Sequence, residues 1–187
     1  MGAYIGDVIL SLKAANGDRN KMVQIIKENR SKPLATIFMA AFGPPAPVFQ
    51  PNEIPAYNTN TDPVGLTFTT LAKVTRKLGY FYTSGEQMAK PSLERLFINI
   101  CEGLHANEAD IFAKVVTKRL YVKGLDAEII NKGFGEKFLD ERTFQMLNET
   151  LLSFEEWRER LETEGETLPP DVIEQHKLYE AYVAEFA

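Results

Sequence analysis

Apolar residues recur along this chain at intervals of three and four, segment after segment, and almost nowhere do they alternate. Ile5, Val8, Ile9 and Leu12 fall at i, i+3, i+4 and i+7, one stripe of a helix that ends near Asn16-Gly17. Asp18 is placed to cap a second helix carrying Met22, Ile25 and Ile26. Ser31 and Pro33 open a third, with Leu34, Ile37, Phe38 and Ala41 inward. Leu71, Val74 and Leu78 resume the spacing. Pro91 starts the clearest stripe, Leu93, Leu96, Phe97, Ile100 and Leu104. Asn107 with Asp110 resembles a capping pair for the helix bearing Ile111, Phe112, Val115 and Val116, and a short helix is expected over 126–131. The tail adds expected helices after Asp140, after Ser153 and after Pro169-Pro170. The fold class expected is all-α.

One stretch departs from the pattern. Residues 43–65 hold six prolines, which exclude a helix interior and a central strand. An ordered connector is the expectation there.

Charge divides the chain. Residues 1–138 carry 17 Lys/Arg against 13 Asp/Glu, whereas residues 139–187 carry 4 against 13. We therefore expect a mildly basic helical domain over 1–138 and an acidic helical tail over 139–187. The sequence has one cysteine, Cys101, and two histidines, so neither a disulfide within the chain nor a CxxC zinc site is expected. Cys101 reads as a small buried hydrophobe, and His105 as a cap or packing residue. No phosphate-binding loop, dinucleotide fingerprint, HExxH or GxSxG occurs. The expectation is a protein without catalytic residues, metal or cofactor. No stretch of about 18 apolar residues and no leader-like N-terminus stand out, so a cytoplasmic protein without a membrane partner is expected.

The segment KRLYVKGLDAEIINKGF, residues 118–134, is the most specific feature. It resembles the end of the helical N-terminal DNA-binding domain of ATP-dependent DNA ligases, above all those of tailed phages. VILSLKAANGDRNKMVQIIKENR resembles the first two helices of that domain, LATIFMAAFGPPAPVF its third helix and following loop, and GLTFTTLAKVTRKLGYF its middle. The likeness runs over about residues 5–137. It stops where a ligase continues into its nucleotidyltransferase domain, for no Lys-x-Asp-Gly occurs here.

The resemblance implies a non-catalytic, phage-type accessory protein of replication or repair that grips duplex or nicked DNA by its phosphates. Host cytoplasm, or the virion, would then be its location. The matching segment offers Lys114, Lys118, Arg119, Lys123, Lys132 and Lys137 for phosphates, with Asn131 as a neutral hydrogen-bonding partner or a structural cap. Arg76 and Lys77, next to Thr75, offer a second patch. Lys114 and Lys118, if both helical, share a face. The alternative expectation is a protein adaptor or assembly component. Its partner-binding stripe would be Tyr179, Tyr182, Val183 and Phe186 on the last helix, flanked by glutamates.

Overall fold

The short polar residues that interrupt the apolar stripes end up where helix starts need them. In the computed structural model, which describes residues 4–50, 53–63, 65–85, 87–144, 158 and 172–185, α1 spans Ile5–Ala14 and α2 Arg19–Glu28. Asn16 and Gly17 both take positive φ between them. That left-handed pair turns the chain, and Asp18 then accepts the Lys21 amide at 3.1 Å. α3, Lys32–Phe42, starts on Ser31, whose hydroxyl accepts from the Leu34 amide.

Where it is described, at residues 43–50 and 53–63, the proline-rich stretch is an ordered connector pinned to the body. The amide of Val48 donates to the Phe81 carbonyl, and that of Thr83 to Ala46, around an isolated antiparallel bridge of Pro47 with Tyr82. Phe49 is fully buried. Its ring packs on Phe81 and edge-on to Phe97, and these two rings meet Phe112. An aromatic set of this kind holds the connector down through burial and edge-to-face contacts.

The helix expected from Leu71 is only one α-turn long. α4, Leu71–Val74, tightens into a 3-10 stretch over Thr75–Phe81 that buries Leu78 and Phe81. α5, Lys90–Gly103, and α6, Ala106–Val116, form a tightly connected pair. The cap of α6 is His105, whose Nδ1 accepts the Asn107 amide at 3.3 Å, rather than the expected Asn107–Asp110 pair. Asp110 instead meets Lys114 one turn on. α7, Ala127–Phe134, begins on Asp126, which accepts from Ile129 at 2.8 Å, and ends on left-handed Gly135.

The core is one apolar cluster running from Ile5 to Leu139. α2 and α7 approach closely because Gly133 carries no side chain: a Cβ there would lie 2.5 Å from Ile26 Cγ2. The body extends beyond the expected boundary at 138. Leu139 is buried and Phe144 packs on Phe42 with ring centroids 5.1 Å apart. The chain accordingly divides into units Met1–Met146 and Leu147–Ala187. In the second, α8 spans Val172–Glu185. Of the tail helices expected after Asp140 and Ser153, the described residues hold only 140–144, where Asp140 starts a turn by accepting the Arg142 amide, and Arg158, which is helical. Among the described residues there is no strand, and no helix is long and apolar enough to cross a membrane.

Candidate nucleic-acid interface

α7 is held at both ends by arginines, one in α2 and one just after it. At its start, Arg19 reaches from α2 to Asp126 at 2.7 Å and to Glu128 at 2.9 Å. The preceding turn carries Gly124 at positive φ, where a Cβ would lie 2.8 Å from the Gly17 Cα. Glycine alone meets both demands there. At the other end of α7, the Arg30 guanidinium donates to the Phe134 carbonyl at 3.2 Å. A cation over the last carbonyls of a helix is the favourable polarity.

Asn131 belongs to this scaffold. Its Nδ2 donates to the Leu139 carbonyl at 2.7 Å, and its Oδ1 accepts the amides of Phe138 at 3.1 Å and Leu139 at 3.0 Å. Three of its four hydrogen-bonding positions are thereby used to fold the chain back after Gly135. The expected DNA contact at Asn131 is corrected to the structural cap.

Lys118 is corrected too. α6 stops at Val116, and Lys118 sits at φ +59 with only 8% of its surface exposed. It shares no helical face with Lys114. Its Nζ donates to the Gly43 carbonyl, at the end of α3, at 2.7 Å and lies 5.1 Å from the centre of the Tyr82 ring. Burial pulls its pKa down to about 8. A buried ammonium bonded to a helix C-terminus is not presented to a phosphate. Lys114 is half-buried and paired with Asp110, and Arg119 is half-buried with contacts of its own.

What remains is a smaller set. Lys123 in the turn before α7, Lys132 in its last turn and Lys137 just beyond are all exposed, with no carboxylate in ion-pair range among the described residues. Arg76 and Lys77 are exposed on the 3-10 stretch. They precede Leu78 and Gly79, which line the same groove as Glu136 and Phe138, the chain neighbours of Lys137.

The groove, about 460 Å³ in volume, also takes in Lys32, Met39 and Tyr82, and sequence reasoning did not find it. Nor did it find Leu66 and Phe68, which are exposed on the loop before α4. Of the expected partner stripe, Tyr179 is half-buried and has contacts of its own. Only the helical backbone is described at Tyr182 and Val183, and Phe186 lies outside the described residues.

The titrating groups of the interior point to structure. Burial pushes the Cys101 thiol up, away from the reactive thiolate. Glu108, also buried, accepts the Leu71 amide at 2.8 Å at the start of α4. Burial raises its pKa, while the amides of Leu71 and Gly6 pull the other way. Among the described residues no group of three or more His, Cys, Asp or Glu side chains is placed to hold a metal ion.

No curated protein and no solved structure matches the chain. The model of a family of unknown function (DUF6433) matches residues 9–122, more than half of the sequence, and the chain belongs to that family.

Proposed function

We propose that the helical body binds duplex or nicked DNA through its phosphates and does no chemistry on it, as an accessory to phage-type replication or repair. The observation that carries this reading is the set of three exposed lysines, Lys123 before α7, Lys132 in its last turn and Lys137 beyond it, with no ion-pair partner among the described residues, on a helix that is clamped at both ends. Phosphate contacts position a protein without reading sequence, and they require cations held on a rigid frame. The resemblance of residues 118–134 to a ligase-type DNA-binding domain supports the same reading. Lys118 and Asn131 then serve the frame rather than the ligand.

The test is fluorescence anisotropy of the full chain with labelled intact and nicked duplexes of unrelated sequence. Three phosphate contacts predict a slope of about -2.7 in log K against log salt. Changing any of the three lysines to alanine lowers that slope by about 0.9. Absence of binding to either duplex at low salt refutes the proposal.

A second reading, a protein adaptor that uses α8, is favoured by the exposure of Leu178 on that helix. Deleting residues 169–187 while every partner interaction survives would count against it.

A further inference from the structure

Two apolar features on the body, one protruding and one recessed, have charges of opposite sign beside them. The first is a knob. Phe68 is 93% exposed and Leu66 75%, on a loop that is nonetheless held firmly. The Leu66 amide donates to the Pro63 carbonyl, the Thr67 hydroxyl to Thr69, and the Thr69 amide to Gly103. Glu102, near the end of α5, stands next to Gly103, whose carbonyl holds Thr69. Glu102 accepts two hydrogen bonds from Asn58 and its carbonyl a third from Asn60. Asp62, six positions before Phe68, is exposed, and Lys73 is the one charged residue within five positions of Phe68. Two large side chains so placed on an anchored loop mark an interaction site.

The second feature is the groove between α3 and the segment Leu78–Tyr82. Its apolar lining is Ala35, Met39, Pro45, Leu78, Tyr82 and Phe138. Met39 is exposed at 36% inside it. The border is basic. Lys32 is part of the lining, and Arg76, Lys77 and Lys137 adjoin residues that are, against the single acid Glu136. None of these four cations has a carboxylate partner among the described residues.

We propose that the Leu66–Phe68 knob of one copy of this chain seats in the α3 groove of a second copy, with acidic and basic borders facing each other. The two features lie at opposite ends of α6. Glu108 in its first turn reaches the loop side through Leu71, whereas Val115 in its last turn accepts the Tyr82 hydroxyl at the groove floor. A knob and a groove on opposite ends do not close on themselves as a two-fold pair. They link copies head to tail, into a ring or an open chain.

The experiment is sedimentation velocity of the full chain from low to high micromolar concentration, at low and at high salt. The expected result is concentration-dependent association that salt weakens. F68S, which alters only an exposed side chain, and M39E, with A35E as a second groove variant, should each weaken association about tenfold or more. Circular dichroism checks that each variant is folded. The decisive arm mixes F68S, which keeps its groove, with M39E, which keeps its knob. That pair should form a terminated one-to-one dimer while each alone stays monomeric. A wild-type chain that is monomeric throughout overturns the proposal and leaves the knob to a different protein. Association that survives in both variants overturns it as well, by placing the contact elsewhere on the chain.

Discussion

Changing Lys118 to methionine removes a buried charge while keeping an unbranched side chain of similar reach, and the consequence depends on pH. Two contributions of opposite sign act at this position. The 2.7 Å bond from Nζ to the Gly43 carbonyl is worth about 1.5–3 kcal/mol as a charge-assisted contact. Against it stands the loss of hydration at a side chain only 8% exposed, which pulls the pKa from the ordinary lysine value to about 8. The folded state therefore holds fewer protons than the unfolded chain from about pH 8 to about pH 10.4, and stability rises with pH in that window. Equivalently, the contribution of the neutral amine is complete above the unfolded value and is lost as pH falls through about 8. A tenfold change in proton affinity corresponds to about 1.4 kcal/mol, so wild type should gain about 2 kcal/mol on the methionine variant between about pH 7 and about pH 9.5. Urea unfolding followed by far-ultraviolet circular dichroism measures both proteins across this range. At neutral pH the methionine variant should be close to wild type in stability, because the lost bond and the removed charge offset each other. Lys118→Ala should instead cost about 2–4 kcal/mol already at neutral pH, since it leaves both a void and an unpaired carbonyl. A wild-type minus methionine difference that is flat or falling with pH refutes the assignment of Lys118 as a buried cation.

Other substitutions probe the frame around α7 and the interior. Asn131→Ala strands the Phe138 and Leu139 amides and the Leu139 carbonyl, and should lower stability by about 2–4 kcal/mol in urea unfolding. Gly133→Ala drives a Cβ to 2.5 Å from Ile26, so a loss of about 1–3 kcal/mol is expected, with partial recovery in the Gly133→Ala, Ile26→Ala double variant. Glu108→Gln keeps an acceptor for the Leu71 amide and should be tolerated far better than Glu108→Ala. Because burial raises the Glu108 pKa, its stabilising effect is complete below the unfolded carboxylate value of about 4.3 and is lost as pH rises through the folded value. The glutamine variant should lack that part of the pH dependence. Cys101 should react with a thiol reagent only after unfolding, a result that native-state labelling reads directly.

The helices were legible because their signals are local. A stripe such as Leu93, Phe97, Ile100 and a cap such as Asp18, Ser31 or Asp126 each fit within a few positions. What could not be read depends on residues far apart in the chain. Lys118 looks like any surface lysine until the positive φ at 118 turns it toward Gly43, seventy-five positions away. Phe49 lies in a stretch whose prolines suggest exposure, and only the rings of Phe81 and Phe97 show why it is buried. The 3-10 character of Thr75–Phe81 was hidden as well, since Leu71, Val74 and Leu78 fit an α-helical stripe.

The same distinction bears on function, because a cation is available to a ligand only after the fold has taken those it needs. Arg19 is committed to Asp126 and Glu128, Arg30 to the end of α7, Lys90 to Glu53, Lys114 to Asp110 and Lys118 to α3. Lys123 and Lys132 are neither groove residues nor their immediate chain neighbours, whereas Lys137 stands between Glu136 and Phe138, which line the groove. Lys137 is thus shared by the DNA reading and by the self-association reading, and Lys123 belongs to the first alone. Charge reversal at Lys123 should weaken duplex binding and leave sedimentation unchanged. Charge reversal at Lys32, inside the groove, should do the opposite. If both reversals move both measurements together, the two surfaces are one, and DNA and the second copy compete for it.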